Sequence, residues 1–334
     1  MFLFDMFRLS FGAAFSFFAT LLLMIFKPFS SKLCGRDRGK VYVPGSQINI
    51  GKYTGVGFYF TAVFITASLV FACRNWTCFF LLLFTAASSL FGWLDDISEK
   101  PWGEYIKGAL DALVAIGFAF AFVLFDNGIG YDNMFVATLD NVDLSMNPTV
   151  YVILAFILII VSINATNATD GVDGLSGTLS ILAVITLTIA SYIHGTLTFN
   201  GFLLGLFMCL VLIPYLFFNF NPSKVLMGDA GSRSIGFFIA AYAMYLRIPF
   251  SYLIVGLPFL LDGGISIFKI TVGRLTKRRI IPFRKLTTPL HDHLKRNKGF
   301  SVKKTWAVLC ACSLVLNIAY ISVLLFLKLV LFIF

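Results

Sequence analysis

The sequence predicts an all-α, polytopic integral membrane protein formed by a single domain over residues 1–334. Three observations predict it. Hydrophobic residues make up 59% of the chain and charged residues only 13%. The mean hydropathy is +0.90, far from the balance of a water-soluble domain. The apolar residues also fall in runs near the length that crosses a bilayer, each ended by Gly, Pro or charge. A helix spanning the hydrocarbon core needs roughly 20 apolar residues, so ten crossings use roughly 200 and leave the rest for loops.

The first span, at about 8–28, resembles a signal peptide between Phe11 and Phe26. It lacks an A-x-A-like cleavage site and runs into a basic segment, so an uncleaved helix is expected. The next spans fall at about 55–73, 76–94, 106–125 and 149–165. Five more follow at about 177–194, 198–218, 233–246, 249–272 and 304–330. Arg247, Pro249 and Pro258 interrupt the stretch from Ser232 to Val272, which is split at Arg247 to Pro249.

Ten spans divide the connections into two alternating sets. The odd-numbered set holds Lys27, Lys32, Arg36, Arg38, Lys40 and Lys52, then Lys100 and Lys107, then Lys224 and Arg233, then eleven Lys or Arg from Arg274 to Lys304. The even-numbered set carries Arg74 and Arg247, and its longest member, Asp126 to Pro148, has four Asp and no Lys or Arg. The positive-inside rule places the odd set in the cytoplasm and both termini outside. The formal charge of +10 is thus explained by orientation in the membrane, and a nucleic-acid partner is not expected. The six Cys lie mostly inside or beside apolar runs, without metal-ligand spacing, and are read as packing residues; Cys73 and Cys78 would pair only on an oxidising side.

Three acidic clusters lie in odd-numbered connections: Asp95-Asp96 in GWLDDISEK, Asp170 and Asp173 in NATNATDGVDGLSG, and Asp229 in VLMGDAGS. Asp95 and Asp96 follow an apolar span directly, and ionisable groups at such depth usually mark a substrate or ion path, although an Asp pair can also cap a helix. Their mutual repulsion calls for a cation, a proton or a basic side chain, with Lys100 and Lys107 nearest in sequence. Asn164, Asn167, Asp170 and Asp173 recur every three residues, a line of oxygen ligands along one side of a helical or turn-like stretch. Hard divalent cations take such ligands, often one or two carboxylates together with substrate phosphates. The neighbouring Gly171, Gly174 and Gly177 permit close backbone approach by a phosphate; a Gly-rich turn with Asx caps is the plainer reading. Asp229, between Gly228 and Gly231, is a third carboxylate for the same ion, or a turn residue starting the next helix. Asp262 is embedded in LPFLLDGG and is expected to face a polar cavity, because an unpaired carboxylate there costs a few kcal/mol. The last odd connection carries His291 and His293 among nine Lys and Arg, suited to phosphates or to anionic lipid. His194 stands alone and is read as incidental.

In combination these motifs resemble the polyprenyl-phosphate N-acetylaminosugar-1-phosphate transferases, from about Gly92 to Thr305: Asp-Asp after a span, N-x-x-N-x-x-D-G-x-D-G-L at Asn164 to Leu175, M-G-D-x-G-S at Met227 to Ser232, and a late His-x-His loop. The resemblance implies a bacterial cytoplasmic-membrane enzyme with a cytoplasmic active site. It moves a HexNAc-1-phosphate from a UDP-sugar to undecaprenyl phosphate, releases UMP and initiates a lipid-linked cell-envelope glycan such as lipopolysaccharide. It implies Mg²⁺, or Mn²⁺ in its place, held by Asn167 and Asp229. Lys107 lies near the nucleotide, His291 and His293 near the diphosphate, Asn164 and Asp170 on substrate, and Asp95, Asp96, Asp173 and Asp229 are catalytic, the first two orienting or deprotonating the lipid phosphate. A homodimer in membrane lipid is also implied.

Two donor branches compete, one using UDP-N-acetylglucosamine or related HexNAc donors and one using UDP-N-acetylmuramoyl-pentapeptide. Asp262, the segment Gly299 to Thr305, and Asp292 between the two His favour the first. Leu226 stands where the family often has Phe before M-G-D, and Arg36-Asp37-Arg38 lacks the family's Asp-x-Pro opening. A transporter or lipid flippase is the rival class; it predicts functional charges at the midplane or on both faces.

Overall fold

The computed structural model describes residues 2–26, 33–37, 39, 49–125, 134–139, 142–280 and 282–333. Lys27, Lys32, Arg38 and Lys40 of the first basic connection, and Asp126, Asp132 and Asp140 of the acidic one, lie outside the described residues.

The chain is a bundle of helices with two small strand pairs. Seven helices are long and apolar enough to cross a membrane by length and composition. These are α1 (Phe2–Phe26), α3 (Trp76–Ile97), α4 (Glu104–Phe125), α5 (Pro148–Thr169), α6 (Leu175–Ile193), α7 (Phe199–Asn219) and α13 (Val302–Ile333). The other three expected spans coincide with less regular segments. Helix α2 (Gly57–Phe71) has 15 residues, about 22 Å at about 1.5 Å per residue, short of the hydrocarbon core. Helix α8 (Gly228–Tyr245) opens with the polar GDAGSR and is buried from Ala230 to Met244. The ninth is broken into α9 (Ser251–Val255), α10 (Leu257–Phe259), a π-helical turn at Leu260–Gly264 and α11 (Ile265–Leu275). A short amphipathic helix, α12 (Leu290–Asn297), carries the two His.

Local chemistry sets several boundaries. Asn75 caps α3 by accepting the Cys78 N–H at 2.8 Å, and Asn147 caps α5 just before Pro148. Thr198 accepts the Gly201 N–H at the start of α7. The division expected at Arg247 to Pro249 coincides with the gap between α8 and α9, where Arg247 has a positive φ of 65°. Two antiparallel pairs were not anticipated: β1 (Gly35–Arg36) with β2 (Tyr53–Thr54), and β3 (Met134–Leu139) with β4 (Val142–Met146). All six Cys are free thiols, with Cys34, Cys78, Cys209 and Cys310 buried.

Helix α8 is the axis of the bundle and packs most extensively on α3 and α5. Small residues permit this approach. A Cβ on Gly92 of α3 would stand 2.5 Å from the Ala230 nitrogen, and one on Gly236 of α8 would stand 2.8 Å from the Ile163 Cα. The C-terminal ends of α3 and α5 therefore meet the N-terminal end of α8 at one end of the bundle.

Candidate active site

A polar cleft of about 310 Å³ opens at that end, lined by Asp95, Asp96, Asn167, Asp170, Asp173 and Asp229 among others. Carboxylates far apart in sequence thus share one concavity.

Asp96 ends α3 facing the first turn of α8. Its Oδ1 accepts the Asp229 N–H at 3.2 Å and its Oδ2 the Ala230 N–H at 3.0 Å. A carboxyl group here satisfies two of the orphan amides at the start of α8. Asp95 accepts the Trp102 N–H at 2.6 Å and forms an ion pair with Lys107 of α4. Lys107 also reaches Asp229 Oδ2 at 2.8 Å, so its ammonium bridges two carboxylates. Of the two sequence neighbours expected to relieve the Asp95–Asp96 repulsion, Lys107 is the one placed to do so.

Asp229 collects three donors. Lys107 Nζ and Arg233 Nε, the latter at 3.1 Å, share Oδ2, while Asn167 Nδ2 donates to Oδ1 at 2.9 Å. Asn167 also donates to Ser232 Oγ at 2.9 Å. Asp173 accepts from Asn221 Nδ2 at 2.9 Å, Ser223 N at 3.1 Å and Ser223 Oγ at 2.9 Å. These bonds pin the Asp170–Asp173 turn against the segment after α7.

Several expectations need correction. The single oxygen-lined face does not form, because α5 ends at Thr169 and only Asn164 and Asn167 are helical. Asn167, Asp170 and Asp173 reach the cleft, whereas Asn164 is outside its lining; Asn164 donates to the Ile160 carbonyl at 2.9 Å. Asp262 is absent from the cleft lining. It is 1% exposed, accepting the His291 backbone N–H at 2.6 Å through Oδ1 and pairing Oδ2 with His291 Nδ1 at 2.8 Å. That pairing packs the His291 ring beside Gly171, at the rim of the cleft. His293 lies outside the cleft lining, with Nδ1 accepting the Thr287 N–H at 3.4 Å. Asp292, which separates the two His, pairs locally with Lys295 at 3.1 Å and Arg296 at 2.9 Å. Arg233, counted from sequence among the orientation charges, is instead buried. It occupies the second turn of α8, one turn after Asp229.

Sequence reasoning missed Arg36, Asn49 and Thr54 as cleft-lining residues. They lie on or beside the β1–β2 pair, which docks through a parallel bridge from Tyr53 to Val225. It also missed Asp111, which lies in an apolar helix with no motif around it; the one available signal was a carboxylate inside a span. Burial pushes the Cys34 thiol up to about 11, with a hydrogen bond to Tyr59 opposing and the Asp96 charge adding to the rise.

A helical bundle with acids and amides gathered in one terminal cleft, and with the bridging Lys107 and Arg233 beside it, has the make-up of a membrane-embedded transferase site for phosphorylated reactants. The sequence matches the model of glycosyl transferase family 4 over residues 78–247. It is 32% identical over 289 residues to a phospho-N-acetylmuramoyl-pentapeptide-transferase of Treponema pallidum (strain Nichols), covering 82% of this chain and 78% of that protein. Proteins of the same name from Streptococcus pyogenes and Lactobacillus helveticus align over shorter stretches. The first is 31% identical over 128 residues, 37% of each chain. The second is 33% identical over 112 residues, 34% of this chain and 33% of that one. The chain belongs to glycosyl transferase family 4, the polyprenyl-phosphate sugar-1-phosphate transferases. It is a multi-pass membrane enzyme that transfers a phospho-sugar to polyprenyl phosphate.

Proposed function

We propose that this enzyme transfers phospho-N-acetylmuramoyl-pentapeptide from its UDP conjugate to undecaprenyl phosphate at the cytoplasmic face of the membrane, releasing UMP. The observation that carries the donor assignment is the alignment with the Treponema pallidum protein of that name, which runs through most of both chains. It outweighs the three details that favoured a UDP-HexNAc donor. Two of these, Asp262 and Asp292, have local roles: Asp262 anchors His291, and Asp292 pairs within its own helix. A UDP-HexNAc donor is the second reading, favoured by the same residues.

The reaction brings together two anions. An oxygen of the lipid phosphate attacks the sugar-proximal phosphorus, the bond from that phosphorus to the oxygen of UMP breaks, and the electron pair leaves with UMP. We favour one displacement over an aspartyl intermediate, since the acceptor is already a competent anion. Asp229, Asn167, Asp170 and Asp173 supply the oxygen chemistry of a hard divalent cation. Among the described residues no three His, Cys, Asp or Glu cluster as a closed metal cage. Asp229 and Asn167 would hold Mg²⁺ together with oxygens of the phosphorylated reactants, since hard cations are often bound by one or two protein oxygens plus substrate phosphates. Mg²⁺, when bound, supplies charge stabilisation to the phosphates. The chain's own contribution is positional. Asp96 fixes the first turn of α8, Lys107 holds Asp95 and Asp229 together, and Asp262 orients His291 toward the rim.

The test is transfer by purified protein supplied with undecaprenyl phosphate, Mg²⁺ and, in parallel, UDP-MurNAc-pentapeptide, UDP-GlcNAc or UDP-GalNAc, following UMP and lipid-linked product. Product from the pentapeptide donor alone is expected. Product only from a UDP-HexNAc overturns the donor assignment in favour of the second reading.

A further inference from the structure

We propose that Asp111, on α4, is a positioning residue for the transfer reaction, acting through Arg233 to hold the Asp229 carboxylate in the cleft. This rests on the function proposed above.

Arg233 Nη1 lies 2.5 Å from Asp111 Oδ2, and its Nε lies 3.1 Å from Asp229 Oδ2. The Arg233 and Asp111 side chains are 9% and 7% exposed. One planar guanidinium therefore grips carboxylates from two helices on different edges of its fork, which a lysine ammonium cannot do with the same directionality. The chain Asp111–Arg233–Asp229 thus links α4 and α8.

Burying an ion pair is a poor way to gain stability, because desolvation offsets the attraction and a well-packed apolar pair does as well. The geometry offers another reason for it. Each of these two cations stands between two carboxylates, the partly exposed Lys107 between Asp95 and Asp229 and the buried Arg233 between Asp111 and Asp229. Asp111 thereby keeps Arg233 from moving wholly onto Asp229, and both cations stay on Oδ2. Among the described residues, Oδ1 is left with only the neutral Asn167 donor. Asp111 is absent from the cleft lining and instead lines a small neighbouring pocket with Lys107, Asp229 and Arg233, so its link to the cleft runs through Arg233.

The experiment compares kcat, both KM values and the thermal unfolding midpoint of the purified wild type with Asp111→Asn, Asp111→Glu, Arg233→Lys and the Asp111→Asn/Arg233→Lys double variant. Asp111→Asn and Arg233→Lys are each expected to lower kcat about tenfold, the scale of one hydrogen bond to a charged group, with KM within about twofold. The double variant is expected to be no slower than the slower single one, since both break the same link. Asp111→Glu, which retains the charge, is expected to recover part of the rate and carries the test if Asp111→Asn does not accumulate folded. Wild-type kcat in Asp111→Asn, multiplicative losses in the double variant, or a rate loss matched by loss of folded protein would overturn the inference. A wild-type enzyme that transfers from no UDP-sugar would overturn the proposed function itself, and this inference with it.

Discussion

Replacing Asp229 by Asn separates chemistry from folding, and the structure supplies both magnitudes. The carboxylate receives Lys107, Arg233 and Asn167. The substitution removes its charge and weakens two charge-assisted bonds, each worth about 1.5–3 kcal/mol. Neither cation is stranded, because Lys107 keeps Asp95 and Arg233 keeps Asp111. The 3–5 kcal/mol range of an uncompensated buried charge, roughly what breaking a buried pair costs, is thereby avoided. The expected stability loss is about 2–3 kcal/mol, so Asp229→Asn should reach the membrane and purify as folded protein. Turnover is expected to fall at least about 100-fold, equivalent to about 2.7 kcal/mol of lost transition-state stabilisation. The assay is UMP release by detergent-purified protein at saturating donor and lipid acceptor, normalised to folded protein. Turnover within about tenfold of wild type would refute the placement of Asp229 at the reacting groups.

Other perturbations probe other parts of the cleft. Lys107→Met removes the bridge between Asp95 and Asp229; a larger drop in folded yield than for Asp229→Asn is expected, with Lys107→Arg recovering part of it, both read by size-exclusion chromatography. Gly92→Ala places a methyl 2.5 Å from the Ala230 nitrogen, so a destabilisation of about 1–3 kcal/mol and a separate loss of turnover are expected, measured by thermal unfolding and UMP release. Chelation of divalent cations should abolish transfer and Mg²⁺ should restore it; full turnover in excess chelator would remove the metal from the proposal. Asp262→Ala frees the His291 ring from its bond to Oδ2, and a fall in kcat of about tenfold is expected, with Asp262→Glu tested for partial recovery.

Much of the helical framework was legible because membrane-spanning helices satisfy their backbone bonds within the segment and show themselves as local apolar runs. Even the awkward stretch after Ser232 divided where Arg247 and Pro249 suggested, since positive φ and a missing N–H act on their own residues. The β1–β2 pair was not legible. Its strands are two residues each, 16 residues of chain separate them, and nothing in Gly35–Arg36 or Tyr53–Thr54 has strand periodicity. Arg233 was misread for a related reason. A lone Arg beside an apolar run looks like an orientation signal until its helix is seen to begin earlier, at Gly228.

The amino-acid order by itself determined that this chain is an all-α membrane protein, where its helices run, and which acidic motifs deserve suspicion, because length, hydropathy and motif spacing are properties of contiguous residues. Tertiary structure alone decided which of those polar groups meet. Lys107 finds Asp229 across 122 positions and Arg233 finds Asp111 across another 122. Such pairings depend on which faces of α3, α4, α5 and α8 turn inward around small residues such as Gly92 and Gly236, and no local pattern encodes that.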